Sequence, residues 1–183
     1  QVRKVGVLFA LLTAVLAIVM VLNYDPSSSS AMQFVETYTW IPAFGTSFAL
    51  GVDGISLTLI ALATILVPVV LIAGWKESEG HRGSVRQYVV LTLVTDAMMI
   101  GVFAATDVFL FYVFFEAMLI PVYFLIGGYG SGERAAAAVK FLLYSLFGGL
   151  LMLASIIGLY VISGANGGHT FDITKLSEMH NYM

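Results

Sequence analysis

The sequence contains no cysteine and very little charge. Only 10% of its 183 residues are charged, whereas soluble domains carry about 25%. The lack of cysteine excludes disulfides, thiol redox chemistry, iron–sulfur clusters and cysteine-bound zinc. Lys and Arg together number eight and the net charge is −3, which argues against nucleic-acid binding because that function needs a basic face.

Hydrophobic residues are in large excess. They make up 60% of the chain, and the mean hydropathy is +0.96, so a single water-soluble core could not bury them. A helix needs about 20 apolar residues to cross roughly 30 Å of hydrocarbon. Five segments meet this requirement and predict an all-α integral membrane protein, with spans at residues 5–22, 55–75, 88–106, 108–126 and 135–162.

Two longer connecting segments are predicted on the outer side of the membrane. Residues 23–54 form an outer loop, in which two short extended pieces flank the turn Pro42–Gly45. Residues 163–183 form an outer tail with a short surface helix. The chain begins with Gln1 and closes on a polar stretch, so we expect a partial transmembrane domain from a longer protein.

The positive residues predict the orientation in the membrane. Seven of the eight Lys and Arg residues lie at the start of the chain or in alternate connections between spans: Arg3, Lys4, Lys76, Arg82, Arg86, Arg134 and Lys140. The other side has only Lys175. Since cytoplasmic loops are enriched in positive residues, the beginning of this chain is predicted to face the cytoplasm.

Two carboxyl groups lie deep in the predicted spans. Asp96 and Glu116 are each about ten residues from the turn at Thr106 and Asp107, roughly 15 Å along their helices. Ionisable groups inside a membrane are costly and usually functional. Glu116 is therefore the candidate proton-transfer residue, with Asp96 as its possible partner. If the two face each other, the pair could hold a proton and pass it on.

Each carboxyl also has a purely structural interpretation. A protonated carboxyl bonded to a nearby hydroxyl can simply help helices to pack, and Thr92 and Thr95 could satisfy Asp96 within its own helix. Pro121 leaves the carbonyl of Ala117 without its helical partner. That carbonyl could hold a water beside Glu116, or the proline could merely shape the bundle.

Other residues in or near the spans favour structural roles. Asp53 and Asp107 stand at predicted helix starts, where a carboxylate caps free backbone amides. Lys140 is predicted to extend toward the cytoplasmic surface. Gly148 and Gly149 permit either close helix contact or local unwinding, and contact is the more frequent use.

No metal or cofactor site is expected in this chain. His81, His169 and His180 lie in predicted loops without the spacing of metal ligands. The sequence also lacks the glycine-rich and nucleophile motifs of nucleotide-binding and hydrolytic enzymes.

Residues 107–126, DVFLFYVFFEAMLIPVYFLI, resemble the glutamate-bearing helix of the antiporter-like membrane subunits of bacterial respiratory complex I. The stretches WIP at 40–42, VDGISL at 52–57 and AVKFLLY at 138–144 are similar to the same family and follow in the same order. The resemblance extends from about Trp40 onward and is weak before it.

The resemblance implies a larger fold and a function. The family fold is a bundle of about fourteen helices with inverted repeats, in which these five spans would be helices two to six. The glutamate that matches Glu116 pairs with a lysine on a later helix, and changes at that pair drive proton release as quinone is reduced elsewhere.

The resemblance also implies the setting in which this chain works. The parent complex would use NADH, FMN, iron–sulfur clusters and quinone, and would lie in the bacterial plasma membrane. The expected partners are the lipid bilayer and other membrane subunits, above all neighbouring antiporter-like subunits.

Two other interpretations remain open. A subunit of a multisubunit Na⁺/H⁺ antiporter, or of a membrane-bound hydrogenase, shares this ancestry and would also use Glu116. Alternatively, the chain could be a structural helix bundle that docks neighbouring subunits, in which case Glu116→Gln would leave transport intact.

Overall fold

A computed structural model describes residues 1–28, 32–75, 84–165 and 168–179. Within these ranges five long helices form the bundle, and a β-hairpin and a short sixth helix accompany them. The helices are α1 (Val2–Leu22), α2 (Gly54–Ala73), α3 (Val85–Ala104), α4 (Val108–Tyr129), α5 (Arg134–Ala165) and α6 (Ile173–Met179). Helices α1 to α5 are long and apolar enough to cross a membrane, which confirms the predicted five-helix, multi-pass membrane fold.

The helix boundaries differ from the predicted spans by a few residues. Helix α3 begins at Val85 rather than at residue 88 because Ser84 and Gln87 form a capping box, in which each side chain accepts the other's backbone N–H at 3.2 Å. Helix α4 continues to Tyr129, three residues beyond the predicted end, and the Tyr129 hydroxyl donates to the Ser84 carbonyl at 2.6 Å. Lys76, His81, Arg82 and His180 lie outside the described residues.

The predicted extended pieces of the outer loop form an antiparallel hairpin. Strands β1 (Gln33–Ile41) and β2 (Thr46–Val52) pair through a turn that contains a short 3₁₀ segment at Pro42–Phe44. Gly45 closes the turn at φ +64°, a left-handed conformation that glycine adopts without steric cost.

The two ends of the bundle differ in what they carry. The hairpin lies where α2 and α4 begin, and we call this the hairpin end. The opposite end holds the starts of α1, α3 and α5, with Arg3, Arg86 and Arg134, and we call it the basic end. All described basic residues except Lys175 of α6 belong to the basic end.

Each helix packs on the next along the chain, and α1 also contacts α3. The buried residues of α1 are all small, which lets its backbone approach its neighbours closely: Gly6, Ala10, Ala14 and Ala17. One core cluster lies toward the hairpin end and consists of Ala17, Val52, Leu57 and Ile60. A second, toward the basic end, consists of Ala10, Leu71 and Val89. Large apolar side chains on the outward faces of α1, α2 and α5 stay exposed, as expected of surfaces that meet lipid or other membrane helices.

Candidate functional site

The turn between α3 and α4 is fixed by backbone hydrogen bonds on both of its sides. On one side, the Thr106 N–H donates to the Ala49 carbonyl of β2 at 3.0 Å. On the other, the Val108 N–H donates to the Phe171 carbonyl at 2.9 Å, and the Ile173 N–H donates to the Thr106 carbonyl at 3.0 Å. The helical hairpin α3–α4 is therefore held in place by the β-hairpin and by the segment before α6.

Asp107 adds a side-chain tie at the same turn. It is only 3% exposed, and its Oδ1 accepts the backbone N–H groups of Phe109 and Leu110 at 2.9 and 3.0 Å. Its Oδ2 accepts the N–H of Ser47 in β2 at 3.0 Å. Asp107 thus caps α4, as predicted, and also binds the strand that supports the turn.

Asp53 caps α2 in the predicted way. Its Oδ1 accepts the Ser56 N–H at 2.7 Å, and Ser56 Oγ accepts the Asp53 N–H at 2.9 Å in return. The hydrogen bond from the Ser56 N–H holds the pKa of the Asp53 carboxyl below its ordinary value, despite the opposing effect of partial burial.

Asp96 is buried inside the bundle without the partners that the sequence suggested. Its side chain is 3% exposed, and no described residue forms a hydrogen bond with its Oδ1. The hydroxyls of Thr92 and Thr95 instead donate to the carbonyls one turn earlier in their own helix, at 2.9 and 2.8 Å. The expectation that these threonines satisfy Asp96 is therefore wrong, because both hydroxyls bond to the backbone and neither bonds to the Asp96 Oδ1.

Asp96 opens onto a cavity of about 420 Å³. The cavity lies between α2, α3 and α4, and its lining is almost entirely apolar apart from Asp96, Thr92, Thr95 and two tyrosines. The tyrosines, Tyr88 and Tyr129, meet edge to face with ring centroids 5.2 Å apart. They stand toward the basic end, so the cavity extends from the buried carboxyl in the direction of that end.

Glu116 lies on α4 and faces α5. The side chain is partly buried, and its Oε1 is buried with no hydrogen-bond partner among the described residues. The glutamate reaches the backbone of α5 at Gly149, where an added Cβ would overlap Oε1 and lie 2.7 Å from the carboxyl carbon. The close-contact interpretation of the glycine pair therefore holds at Gly149, and α5 continues as a helix through it.

The two candidate carboxyls occupy different faces of the helical hairpin. The Asp96 cavity is lined on α4 by Leu125, Ile126 and Tyr129. Leu125 follows Glu116 by nine residues, about two and a half helical turns, so the side chains of Leu125 and Glu116 leave α4 on opposite sides. Asp96 is thus directed between α2 and α4, whereas Glu116 is directed at α5.

Pro121 is buried within α4, and the helix continues through it. Pro68 occupies an equivalent buried position inside α2. Each proline leaves the carbonyl four residues earlier without its helical N–H, which in α4 is the carbonyl of Ala117, next to Glu116. Lys140 is exposed near the start of α5, and its extension toward the cytoplasmic surface stays a prediction.

No group of three or more His, Asp or Glu side chains in the described ranges is arranged to hold a metal ion. What sequence reasoning missed is the specific contact between Glu116 and Gly149. The glycine pair was a visible signal, but only helix rotation tells which glycine faces the carboxyl.

Comparisons with known proteins agree with this architecture. Residues 105–183 match the transmembrane family described as NADH:quinone oxidoreductase/Mrp antiporter. The chain is 45% identical to NADH-quinone oxidoreductase subunit M of Mycobacterium tuberculosis, over 93% of this chain and 36% of that protein. A chain in the structure of respiratory complex I from Thermus thermophilus with bound NADH has a TM-score of 0.80 at 30% identity and matches 95% of this chain and 34% of its own.

A more distant solved structure shares the fold. A chain of the Mrp complex from a Dietzia species has a TM-score of 0.74 at 23% identity, over 92% of this chain and 17% of its own. The present chain spans about a third of the length of the complex I relatives that it matches. Over nearly its whole length, this multi-pass membrane chain is similar to part of the antiporter-like subunits of complex I, as the residues around Glu116 indicated.

Proposed function

We propose that this chain is part of a proton-translocating membrane subunit of a NADH:quinone oxidoreductase. The observation that carries the proposal is Glu116, a carboxyl inside a membrane-spanning helix whose Oε1 is buried without a hydrogen-bond partner among the described residues. A group of this kind is costly in a membrane and is usually kept for function. The 45% identity to a subunit M supports the choice of enzyme complex.

Glu116 would act by exchanging a proton as the charge around it changes. Without a cationic partner, a buried carboxylate is unfavourable, so the group holds a proton. When a positive side chain approaches, the ionised form becomes favourable and the proton leaves. In the family that the chain resembles, the partner is a lysine on a later helix, and such a lysine would supply this charge. Quinone reduction elsewhere in the complex would set the position of that charge.

Asp96 would hold a second proton rather than pair directly with Glu116. The two carboxyls leave the helical hairpin on different faces, and Asp96 opens onto the cavity that extends toward the basic end. Water in such a cavity could connect Asp96 with that end of the bundle, so Asp96 fits a proton-loading position.

The orientation that we propose puts the basic end in the cytoplasm of a bacterial plasma membrane. Arg3, Lys4, Arg86, Arg134 and Lys140 all belong to that end, and positive residues favour the cytoplasmic side. The exposed apolar faces of α1, α2 and α5 would then meet lipid and other membrane subunits, including neighbouring antiporter-like subunits.

Redox chemistry would take place in other subunits of the parent complex. NADH, FMN, iron–sulfur clusters and quinone are its cofactors, and the present chain has no cysteine to hold a cluster. Its part of the activity is then the movement of protons.

The second candidate is a subunit of a multisubunit Na⁺/H⁺ antiporter or of a membrane-bound hydrogenase. The TM-score of 0.74 to a chain of an Mrp complex supports it, because the same fold occurs in that assembly. Glu116 would serve there too, so the residue does not separate the two candidates. The two candidates differ in the reaction that drives proton movement, which is NADH oxidation in the first and sodium exchange in an antiporter.

The test is proton uptake into inverted membrane vesicles that contain the full-length protein in its complex. We expect NADH oxidation to drive uptake in the wild type, whereas a sodium gradient alone drives none. Uptake driven by sodium and not by NADH would favour the antiporter. Glu116→Gln should abolish uptake in either case, and full uptake in that variant would support a purely structural bundle.

A further inference from the structure

Helix α5 has two adjacent glycines that meet different surroundings. Gly149 is buried, and a Cβ built on it would overlap the Oε1 of Glu116. Gly148 is exposed, and no atom of the described residues lies within 4 Å of a Cβ built there. Only one of the two glycines is therefore needed for the packing of α5 on α4.

We propose that Gly149 is a positioning residue for Glu116, providing a recess without a side chain that holds the carboxyl against α5. This inference rests on the proposed function of Glu116 and deepens it. Any side chain at position 149 would push the carboxyl away from α5 or separate α5 from α4.

The recess would position the carboxyl without neutralising it. Helix α5 runs without interruption from Arg134 to Ala165, so the backbone N–H of Gly149 is used within the helix. The Glu116 Oε1 has no hydrogen-bond partner among the described residues. A glycine surface offers at most weak Cα–H contacts to such an oxygen. The carboxyl would therefore keep a fixed place and remain free to pair with a mobile charge or a water.

Fixed placement matters because proton transfer requires hydrogen-bond distances to the donor or acceptor. A displacement of about 1 Å can lower a rate by about 100-fold. The overlap at Gly149 involves the carboxyl group itself, including its carbon at 2.7 Å, so an alanine there would cause a displacement of about this size.

The experiment compares Gly149→Ala with Gly148→Ala in the full-length protein within its complex. The two variants add the same methyl group to neighbouring positions of one helix, so helix propensity changes equally. We expect Gly149→Ala to lower the rate of NADH-driven proton uptake by about 10- to 100-fold and Gly148→Ala to leave it near the wild-type value. Equal effects of the two variants would overturn the proposal.

Infrared difference spectroscopy provides a readout that does not depend on pumping. The carboxyl band of Glu116 is identified by its loss in Glu116→Gln. We expect this band to shift in Gly149→Ala and to stay in place in Gly148→Ala, and an unshifted band in both would refute the recess. If Glu116→Gln pumps normally, the proposed function fails, whereas the band comparison still decides the role of Gly149.

A shorter acidic side chain covers the case in which Gly149→Ala does not assemble. Aspartate is one methylene shorter than glutamate, so Glu116→Asp would withdraw the carboxyl from α5. We expect the double variant Glu116→Asp, Gly149→Ala to assemble as Glu116→Asp alone does. A double variant that still fails to assemble would show that the defect does not come from the carboxyl and would overturn the proposal.

Discussion

Asp107 ties together the turn that sets the relative position of α3 and α4. It accepts three backbone N–H groups, those of Ser47, Phe109 and Leu110. Asp107→Ala would remove all three acceptors together. Because the turn fixes the register of Asp96 and Glu116, the substitution tests whether the hairpin end supports the site.

The loss of stability in Asp107→Ala depends on how deeply each of the three lost hydrogen bonds is buried. The bond to Leu110 is buried, and a buried N–H left unpaired costs about 1–3 kcal/mol. The bonds to Ser47 and Phe109 are partly buried, where water can replace the carboxylate in part, so each contributes about 0.5–1.5 kcal/mol. Asp107→Ala should therefore lower the free energy of unfolding by about 2–6 kcal/mol.

The matched control is Asp107→Asn. The amide oxygen can still cap α4, but the amide nitrogen then faces the Ser47 N–H, donor against donor. We expect a loss of about 1–3 kcal/mol, smaller than that of the alanine variant. The measurement is reversible unfolding of the purified protein in mixed micelles. An alanine variant as stable as the wild type would refute the reasoning, and so would an asparagine variant less stable than the alanine variant.

Two further predictions concern the other carboxyls. Asp53→Ala should lower the free energy of unfolding by about 0.5–2 kcal/mol because α2 loses its cap. The pKa of the Asp53 carboxyl is lowered on folding, so the carboxylate stabilises the protein fully at neutral pH and loses this effect as pH falls through the acidic range. Unfolding at neutral and acidic pH checks this, and an unchanged difference between wild type and Asp53→Ala would contradict it. Asp96→Asn should leave assembly intact and lower the rate of NADH-driven proton uptake at least about tenfold, whereas a normal rate would assign Asp96 to packing.

The sequence was sufficient to predict the membrane fold because the signal is compositional. Long apolar runs separated by polar or glycine-rich connections determine where helices cross, and the five long helices of the described ranges lie where the hydropathy predicts. The boundaries were less predictable because they depend on caps. The start of α3, for example, is set by the reciprocal bonds of Ser84 and Gln87.

The candidate site was predicted in its residues and not in its arrangement. A carboxyl in an apolar run is visible from sequence, so Asp96 and Glu116 could both be singled out. The helix face that each carboxyl occupies depends on the rotation of its helix, and side-chain packing determines that rotation. For the same reason the sequence could not distinguish Gly149, whose added Cβ would meet Glu116, from Gly148, whose added Cβ would meet no described residue.

The most direct test of the central claim is the rate of NADH-driven proton uptake per assembled complex, compared between the wild type and Glu116→Gln. Glutamine preserves the size and most of the shape of the side chain and cannot exchange a proton at neutral pH. The account predicts that the complex assembles and that its rate of proton uptake falls sharply. An assembled Glu116→Gln complex with the wild-type rate would contradict the account and leave Glu116 a packing residue.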